Sequence, residues 1–193
     1  MTSLLELDSA ITVALNDFGP SWLDAAMLFL SKIWVWIPLY LAVAVVLCLR
    51  LGWKKGLAVV VAAALALVVT DQGTVLIKNL VCRLRPCEDP LLAGIISPLQ
   101  GHGSLYGFPS SHACNTFCFA ALTASALKGA TFGKYYAAAI YLWAAAVTFS
   151  RIYVGKHFMG DCIAGAALGV ATGLLFALIV SRIFAAAPSR KRQ

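Results

Sequence analysis

GLAVVVAAALALVVTDQGTVLIKNLV, residues 56–81, decides the fold. It is an Ala/Val-rich run long enough to cross a bilayer, for which about 20 apolar residues suffice. A short basic turn, Arg50, Lys54 and Lys55, precedes it. Lys78 lies near its far end, and Cys82 to Pro109 follows as a polar, irregular loop carrying Pro86, Pro90, Pro98 and Pro109. One acid, Asp71, sits inside the run, and an ionisable group within a span marks a candidate functional position. It stands about 10 Å of helix rise from Lys78, so it reads as an interhelical hydrogen-bonding group or as support for a site.

The rest of the chain agrees with this reading. Of 193 residues, 61% are hydrophobic and 12% charged. A mean hydropathy of +0.86 excludes an ordinary soluble domain and places the chain among polytopic membrane proteins. No linker or low-complexity tract divides residues 1–193, so one integral-membrane domain is expected. The N-terminal residues have acids but no Lys or Arg, unlike the basic start of a signal peptide.

Residues 1–18 place Leu4, Leu7, Ile11, Leu15 and Phe18 at helical spacing, which predicts an amphipathic helix lying on the membrane surface. Ser3 and Glu6 form a capping-box pattern at its start. Gly19-Pro20-Ser21 ends it. Four further spans are expected besides residues 56–81: Trp22–Leu49 with a kink at Pro38, Ser110–Leu127, Tyr135–Phe149 and Cys162–Ser181. The predicted fold is therefore all-α, a bundle of five transmembrane helices plus one interfacial helix. Gly165, Gly169 and Gly173 make a small-residue stripe for close helix packing on the last span.

The net charge of +7 reflects topology and not nucleic-acid binding. If the five spans alternate, Arg50, Lys54, Lys55, Lys128, Lys134, Arg182, Arg190, Lys191 and Arg192 share one side with no Asp or Glu. The positive-inside rule makes that side cytoplasmic, with the N-terminus outside and the C-terminus inside. The 82–109 loop and residues 150–161 then share the outer face.

On that face three segments carry chemistry. Lys78-x6-Arg85-Pro86 and Pro109-Ser110-Ser111-His112 lie opposite Ser150-Arg151-x5-His157-x3-Asp161. Asp161 follows His157 by four residues, so a carboxylate there can accept one imidazole N–H and leave the other nitrogen free to attack. Lys78, Arg85 and Arg151 surround two histidines and one carboxylate, a set that wants an anion. Ser110 is placed as an N-cap and Ser111 opens the helix, where backbone N–H groups have no intrahelical acceptor and can hold phosphate. On this reading the Ser111 hydroxyl is a supplementary donor at most.

These three segments resemble the signatures of the type 2 phosphatidic acid phosphatase (PAP2) superfamily, across residues 78–161. The resemblance implies a metal-independent, cofactor-free phosphatase. In it His157 is the nucleophile that forms a phosphohistidine, Asp161 orients it, and His112 protonates the leaving oxygen. Lys78, Arg85, Ser110, Ser111 and Arg151 hold the phosphoryl oxygens. The family pattern has Gly where this chain has Ser111. The implied partners are a lipid phosphate and the surrounding lipids, in a bacterial cytoplasmic membrane with the site facing outward. Undecaprenyl diphosphate fits the small size and outward site; phosphatidate, phosphatidylglycerol phosphate and lipid A phosphates are the alternatives.

Two other classes compete. Two His and one Asp can ligate a metal, but three neighbouring cations oppose a divalent ion. A transporter or lipid-binding protein would run charges through the bilayer, whereas here they gather at one interface. His102 matches no motif and reads as a solvated loop histidine. Cys82 and Cys87 flank Arg85 and can pair in an oxidising compartment; the other four cysteines read as small packing residues.

Overall fold

A computed structural model describes residues 3–16, 19–101 and 103–186, and its secondary structure is helical. Helix α1 spans Leu4–Asn16, α2 Ser21–Leu30, α3 Ile37–Leu51, α4 Trp53–Val81, α5 Ser111–Leu127, α6 Gly133–Tyr153 and α7 Met159–Ala186. Phe18, His102 and the basic residues Arg190, Lys191 and Arg192 lie outside the described residues.

Among the described residues three stretches are long and apolar enough to cross a membrane: Ile33–Leu51, Trp53–Val81 and Met159–Ala186. They carry the outward-facing apolar side chains, among them Leu41, Val45, Leu57, Leu65, Leu174 and Ile183. α6 also faces outward, with Tyr135 and Leu142 exposed, whereas α5 is enclosed. α5 is the central helix, packed against α4, α6 and α7, and buries Ala120, Ala121, Leu122 and Leu127. An enclosed helix needs small residues more than large apolar ones, which is why α5 reads weakly as a span.

The first predicted span is not one kinked helix. α2 ends at Leu30, a 3₁₀ turn runs from Ile33 to Trp36, and α3 begins at Ile37 with Pro38 in its first turn. Proline at that position starts a helix, because its missing N–H has no intrahelical role there. The break is satisfied locally and across the bundle. Trp36 Nε1 donates to the Leu30 carbonyl at 3.0 Å, and the Ser31 and Ser150 hydroxyls meet at 2.9 Å.

The glycine stripe on α7 packs against α5. A Cβ on Gly165 would stand 2.5 Å from the Ser110 carbonyl oxygen, and Cβ atoms on Gly169 and Gly173 would collide with the carbonyl oxygens of Cys114 and Cys118. The pairs 165/110, 169/114 and 173/118 advance together, so α5 and α7 run parallel and in register. This contact holds the start of α7 beside the start of α5.

α1 docks with its polar face inward. Ser3 and Glu6 form the reciprocal cap, Glu6 Oε2 accepting from Ser3 N at 2.7 Å and Ser3 Oγ from Glu6 N at 3.2 Å. Asp8, Thr12 and Asn16, four apart, face the bundle, and Thr12 and Asn16 are buried. Leu4, Leu5 and Leu7 stay exposed, as an interfacial helix requires. At the opposite end of the bundle Lys55, Lys128 and Ser181 line one cavity, and the Arg50 guanidinium lies 4.9 Å from the Phe132 ring. The basic turns thus share a face, remote from Lys78 and Asp161.

Candidate active site

After α4 the chain becomes extended. Leu84 forms a single antiparallel bridge with Tyr106, flanked by Arg85 N to Leu105 O at 3.1 Å and Gly107 N to Arg83 O at 2.8 Å. Side chains alternate along an extended segment, so Arg83 and Arg85 leave it on the same face. Gly107 must lack a side chain here: its Cβ would come within 2.9 Å of Asp161 Oδ2.

α6 ends in a tight turn that delivers His157. Arg151 lies in the last turn of α6, one turn deeper than the loop position its sequence context implies. Gly155, at φ +75°, takes the left-handed conformation that reverses the chain, a conformation glycine adopts without steric cost. Lys156 N and His157 N then both donate to the Arg151 carbonyl, at 3.0 and 3.2 Å. Lys156 is buried, with its ammonium on the Gly101 carbonyl, and anchors the long loop.

Asp161 follows in the first turn of α7 and is fully buried. Its Oδ2 lies 3.4 Å from His157 Nδ1 and accepts from Phe158 N at 3.1 Å. Its Oδ1 accepts from Arg83 Nη1 at 2.7 Å. Arg83 was not among the residues the sequence motifs single out, although it stands two residues before Arg85 on the same extended face. Its other branch binds Asp8 of α1 at 2.6 Å.

Ser110 is the N-cap of α5 as expected, and it is completely buried. Its N–H donates to the Asp161 carbonyl at 3.0 Å and its hydroxyl accepts from Ala113 N at 3.5 Å, so both groups build the site from within. Ser111 has a larger part than its motif position implied. Its hydroxyl receives Lys78 Nζ at 2.5 Å and meets the Thr74 hydroxyl at 2.7 Å. Thr74, one turn before Lys78, is a member of the site that no motif marked. His112 lines a cavity of about 190 Å³ with Ser31, Lys32, Trp36, Asp71 and Asn115.

Three cations converge on the site, and among the described residues no carboxylate lies within ion-pair distance of them. Lys78, Arg85 and Arg151 all act electrostatically on His157. Their hydrogen bonds go to neutral acceptors: Ser111 for Lys78, Ser104 Oγ at 2.7 Å for Arg85, and Gln100 Oε1 at 2.8 Å for Arg151. Nε of Arg85 and Nε of Arg151 are buried with no acceptor among the described residues. Burial first, then Arg85, Arg151 and Lys78, pushes the His157 imidazole well below its usual range. It is therefore a neutral base at physiological pH.

Asp71 is exposed at the cavity wall, and its carboxylate makes no hydrogen bond among the described residues. The interhelical bond near it belongs to Thr70 and Asn115, at 2.6 Å. Cys82 and Cys87 are free thiols; Cys82 contacts the Asn79 carbonyl and Cys87 lies 3.8 Å from Lys156 Nζ. Among the described residues no three His, Cys, Asp or Glu side chains form a metal-ligand cluster.

The bundle thus brings two histidines, a carboxylate and three cations together at one end, an arrangement that can hold a phosphoryl group. The chain belongs to the PAP2 superfamily, whose family model matches residues 55–185, and it is a metal-independent membrane lipid phosphatase. It is 32% identical to a lipid A 4'-phosphatase of Bacteroides thetaiotaomicron, over 94% of this chain and 80% of that protein. It is 30% identical to a lipid A 4'-phosphatase of Porphyromonas gingivalis, over 90% of this chain and 72% of that one. The fold matches the PAP2-type phosphatidylglycerolphosphate phosphatase of Bacillus subtilis with a TM-score of 0.71 and 25% identity, covering 100% of this chain and 90% of that one. The LpxE protein of Aquifex aeolicus matches in fold with a TM-score of 0.67 and 21% identity, over 88% of this chain and 94% of that one.

Proposed function

We propose that the protein removes a phosphate monoester from a glycolipid of the lipid A class, with the active site at the outer membrane interface. The observation that carries the chemistry is the convergence of Lys78, Arg85 and Arg151 on His157 with no carboxylate within ion-pair distance of any of them, among the described residues. Arg83, by contrast, is neutralised by two. Unpaired buried cations favour a bound anion, and a phosphoryl group in transfer presents equatorial oxygens to all three.

In this mechanism Nε2 of His157 attacks phosphorus, and the bond from phosphorus to the leaving oxygen breaks. His112 gives that oxygen its proton. Water, deprotonated by His112, then attacks the phosphohistidine, the P–N bond breaks, and inorganic phosphate and the free imidazole return. Asp161 keeps Nδ1 as the protonated nitrogen so that Nε2 carries the lone pair. The N–H groups that open α5 at Ser111 and His112 supply further donors to the phosphate.

The identities to lipid A 4'-phosphatases support that substrate over undecaprenyl diphosphate, for which the named relatives offer no support. The cavity beside His112 adds to this. Lys32, Asp71 and Asn115 line it together with Trp36 and Tyr40, a mixed lining suited to a polar ring that carries apolar chains. Phosphatidylglycerol phosphate is the second reading, from the Bacillus fold relative. Five crossings with the N-terminus outside put the site on the outer face; the gathering of Lys55, Lys128 and Arg50 at the other end supports that orientation.

Phosphate release from lipid A, phosphatidate, phosphatidylglycerol phosphate and undecaprenyl diphosphate, each with and without EDTA, tests the proposal. Lipid A should turn over fastest and EDTA should change nothing. Preference for undecaprenyl diphosphate would reject the substrate. Activity lost in EDTA and restored by a divalent ion would reject the mechanism. Cysteine probes test the orientation: an impermeant reagent added outside should reach one near Leu92 and miss one near Gly129, and the reverse would refute it.

A further inference from the structure

Helix α1 supplies the cap of α7. Asp8 Oδ1 accepts from Gly160 N at 2.8 Å, and Thr12 Oγ1 accepts from Met159 N at 3.1 Å. These are N–H groups at the start of α7 that have no acceptor within their own helix. The second oxygen of Asp8 holds Arg83 at 2.6 Å, and Arg83 reaches on to Asp161 Oδ1 at 2.7 Å. The guanidinium is also stacked over the Phe158 ring, 4.1 Å from its centroid. Asp161 in turn faces His157. Four side chains therefore run in one line from the membrane-surface helix to the imidazole: Asp8, Arg83, Asp161 and His157.

The line has no slack. Gly160 lies where Asp8 and Arg83 meet, and a Cβ there would stand 2.8 Å from Asp8 Oδ2 and 3.5 Å from Arg83 Nη1. The Arg83 side chain is 20% exposed and Asp8 14%, so both ion pairs are partly shielded from water. Asp161 is fully buried, and Arg83 is the only cation within ion-pair distance of it among the described residues. A buried carboxylate keeps its charge and direction only with a fixed counter-ion and hydrogen-bond donors. Arg83 is that counter-ion, and Asp8 fixes Arg83.

The geometry points to Arg83 and Asp8 as positioning residues that set the orientation of Asp161, and through it that of His157. α1 is then a working part of the active site as well as a membrane anchor. This rests on the assignment of His157 as nucleophile. Neither Arg83 nor Asp8 is placed to touch the phosphoryl group, because the guanidinium is occupied by two carboxylates.

The test is steady-state phosphate release by the full chain in detergent micelles, read on whichever of lipid A, phosphatidylglycerol phosphate and phosphatidate the wild type hydrolyses fastest. The set is Arg83→Gln, Arg83→Lys, Asp8→Asn, the Asp8→Asn/Arg83→Gln double variant and His157→Ala. Arg83→Gln should lower kcat about 100-fold with KM within about threefold, since the phosphate-binding cations are untouched. Arg83→Lys should recover to within about tenfold of wild type, and Asp8→Asn should fall about tenfold. The double variant should be no slower than Arg83→Gln, because the two residues act through one line. If Arg83→Gln does not fold, Arg83→Lys and Asp8→Asn decide by the same split between kcat and KM. Wild-type kcat in the Arg83 and Asp8 variants beside an inactive His157→Ala would overturn this inference alone. So would loss through KM with kcat intact. An active His157→Ala would overturn the nucleophile assignment itself, and this inference with it.

Discussion

Nδ1 of His157 stands 3.4 Å from Oδ2 of Asp161 and has no hydrogen-bond partner among the described residues. The contact is slightly longer than a hydrogen bond, and a shift of a few tenths of an ångström closes it. Catalytic contacts are commonly long in a substrate-free site and tighten when substrate arrives. Both carboxylate oxygens are already anchored, by Arg83 and by Phe158 N, so the carboxylate is the fixed member of the pair.

This arrangement separates the roles of the two residues. His157→Ala should abolish turnover, by 10⁴-fold or more, because no other group can form the covalent intermediate. Asp161→Asn should lose on the order of 10²-fold, since the imidazole remains but its tautomer is no longer held. Vanadate, which mimics pentacoordinate phosphorus, should inhibit the wild type. Phosphate-release rates for folded variants decide the matter, and near wild-type turnover by His157→Ala would refute the nucleophile.

The imidazole also sets an acid limit on stability. Burial, then Arg85, Arg151 and Lys78, hold the folded-state value of His157 well below the unfolded value of about 6.5, with Asp161 facing the ring on its other side. Between those two values the unfolded chain binds a proton that the folded chain does not. Stability from this group is therefore complete above about pH 6.5 and is lost as pH falls towards the folded value. Thermal midpoints in detergent should fall more steeply from pH 7 to 5 for wild type than for His157→Gln. Parallel curves would show that the histidine is not held neutral.

Ser111 distinguishes a hydroxyl effect from a backbone one. Its hydroxyl steadies Lys78 and Thr74, so Ser111→Ala and Ser111→Gly should each cost activity by about tenfold, the worth of one hydrogen bond to a charged group. Ser111→Pro keeps a residue tolerated at the first helical position but removes the N–H as well, and should fall at least tenfold further. Equal activity in the Ala and Pro variants would place the phosphate away from the start of α5.

Packing of α5 on α7 gives a stability prediction. Gly169→Leu puts a side chain against the Cys114 carbonyl, which is backbone and cannot yield cheaply. It should cost at least the roughly 1–3 kcal/mol of ordinary overpacking and lower the thermal midpoint. Leu175→Ala, on the exposed side of the same helix, should change it little. Similar midpoints for the two variants would contradict the close approach.

Much of this protein is local in sequence, and that part was legible. Apolar run length predicted membrane helices at 56–81 and 162–181, and the Ser3–Glu6 pair forms the reciprocal cap its spacing implied. The motif spacings placed Lys78, Arg85, His112, Arg151, His157 and Asp161 in three short segments, and these segments do meet at one end of the bundle. Hydrophobic periodicity and helix-end chemistry act over a few residues, so a linear reading captures them. The break between α2 and α3 escaped it because Ser31 is satisfied by Ser150, 119 residues away. Likewise, Arg83 is joined to Asp8 across 75 residues and to Asp161 across 78, and Asp8 caps Gly160 across 152. No periodicity encodes such pairs. They follow from the parallel seating of α7 on α5, which brings the start of α7 under the polar face of α1 and makes a surface helix the support of a buried carboxylate.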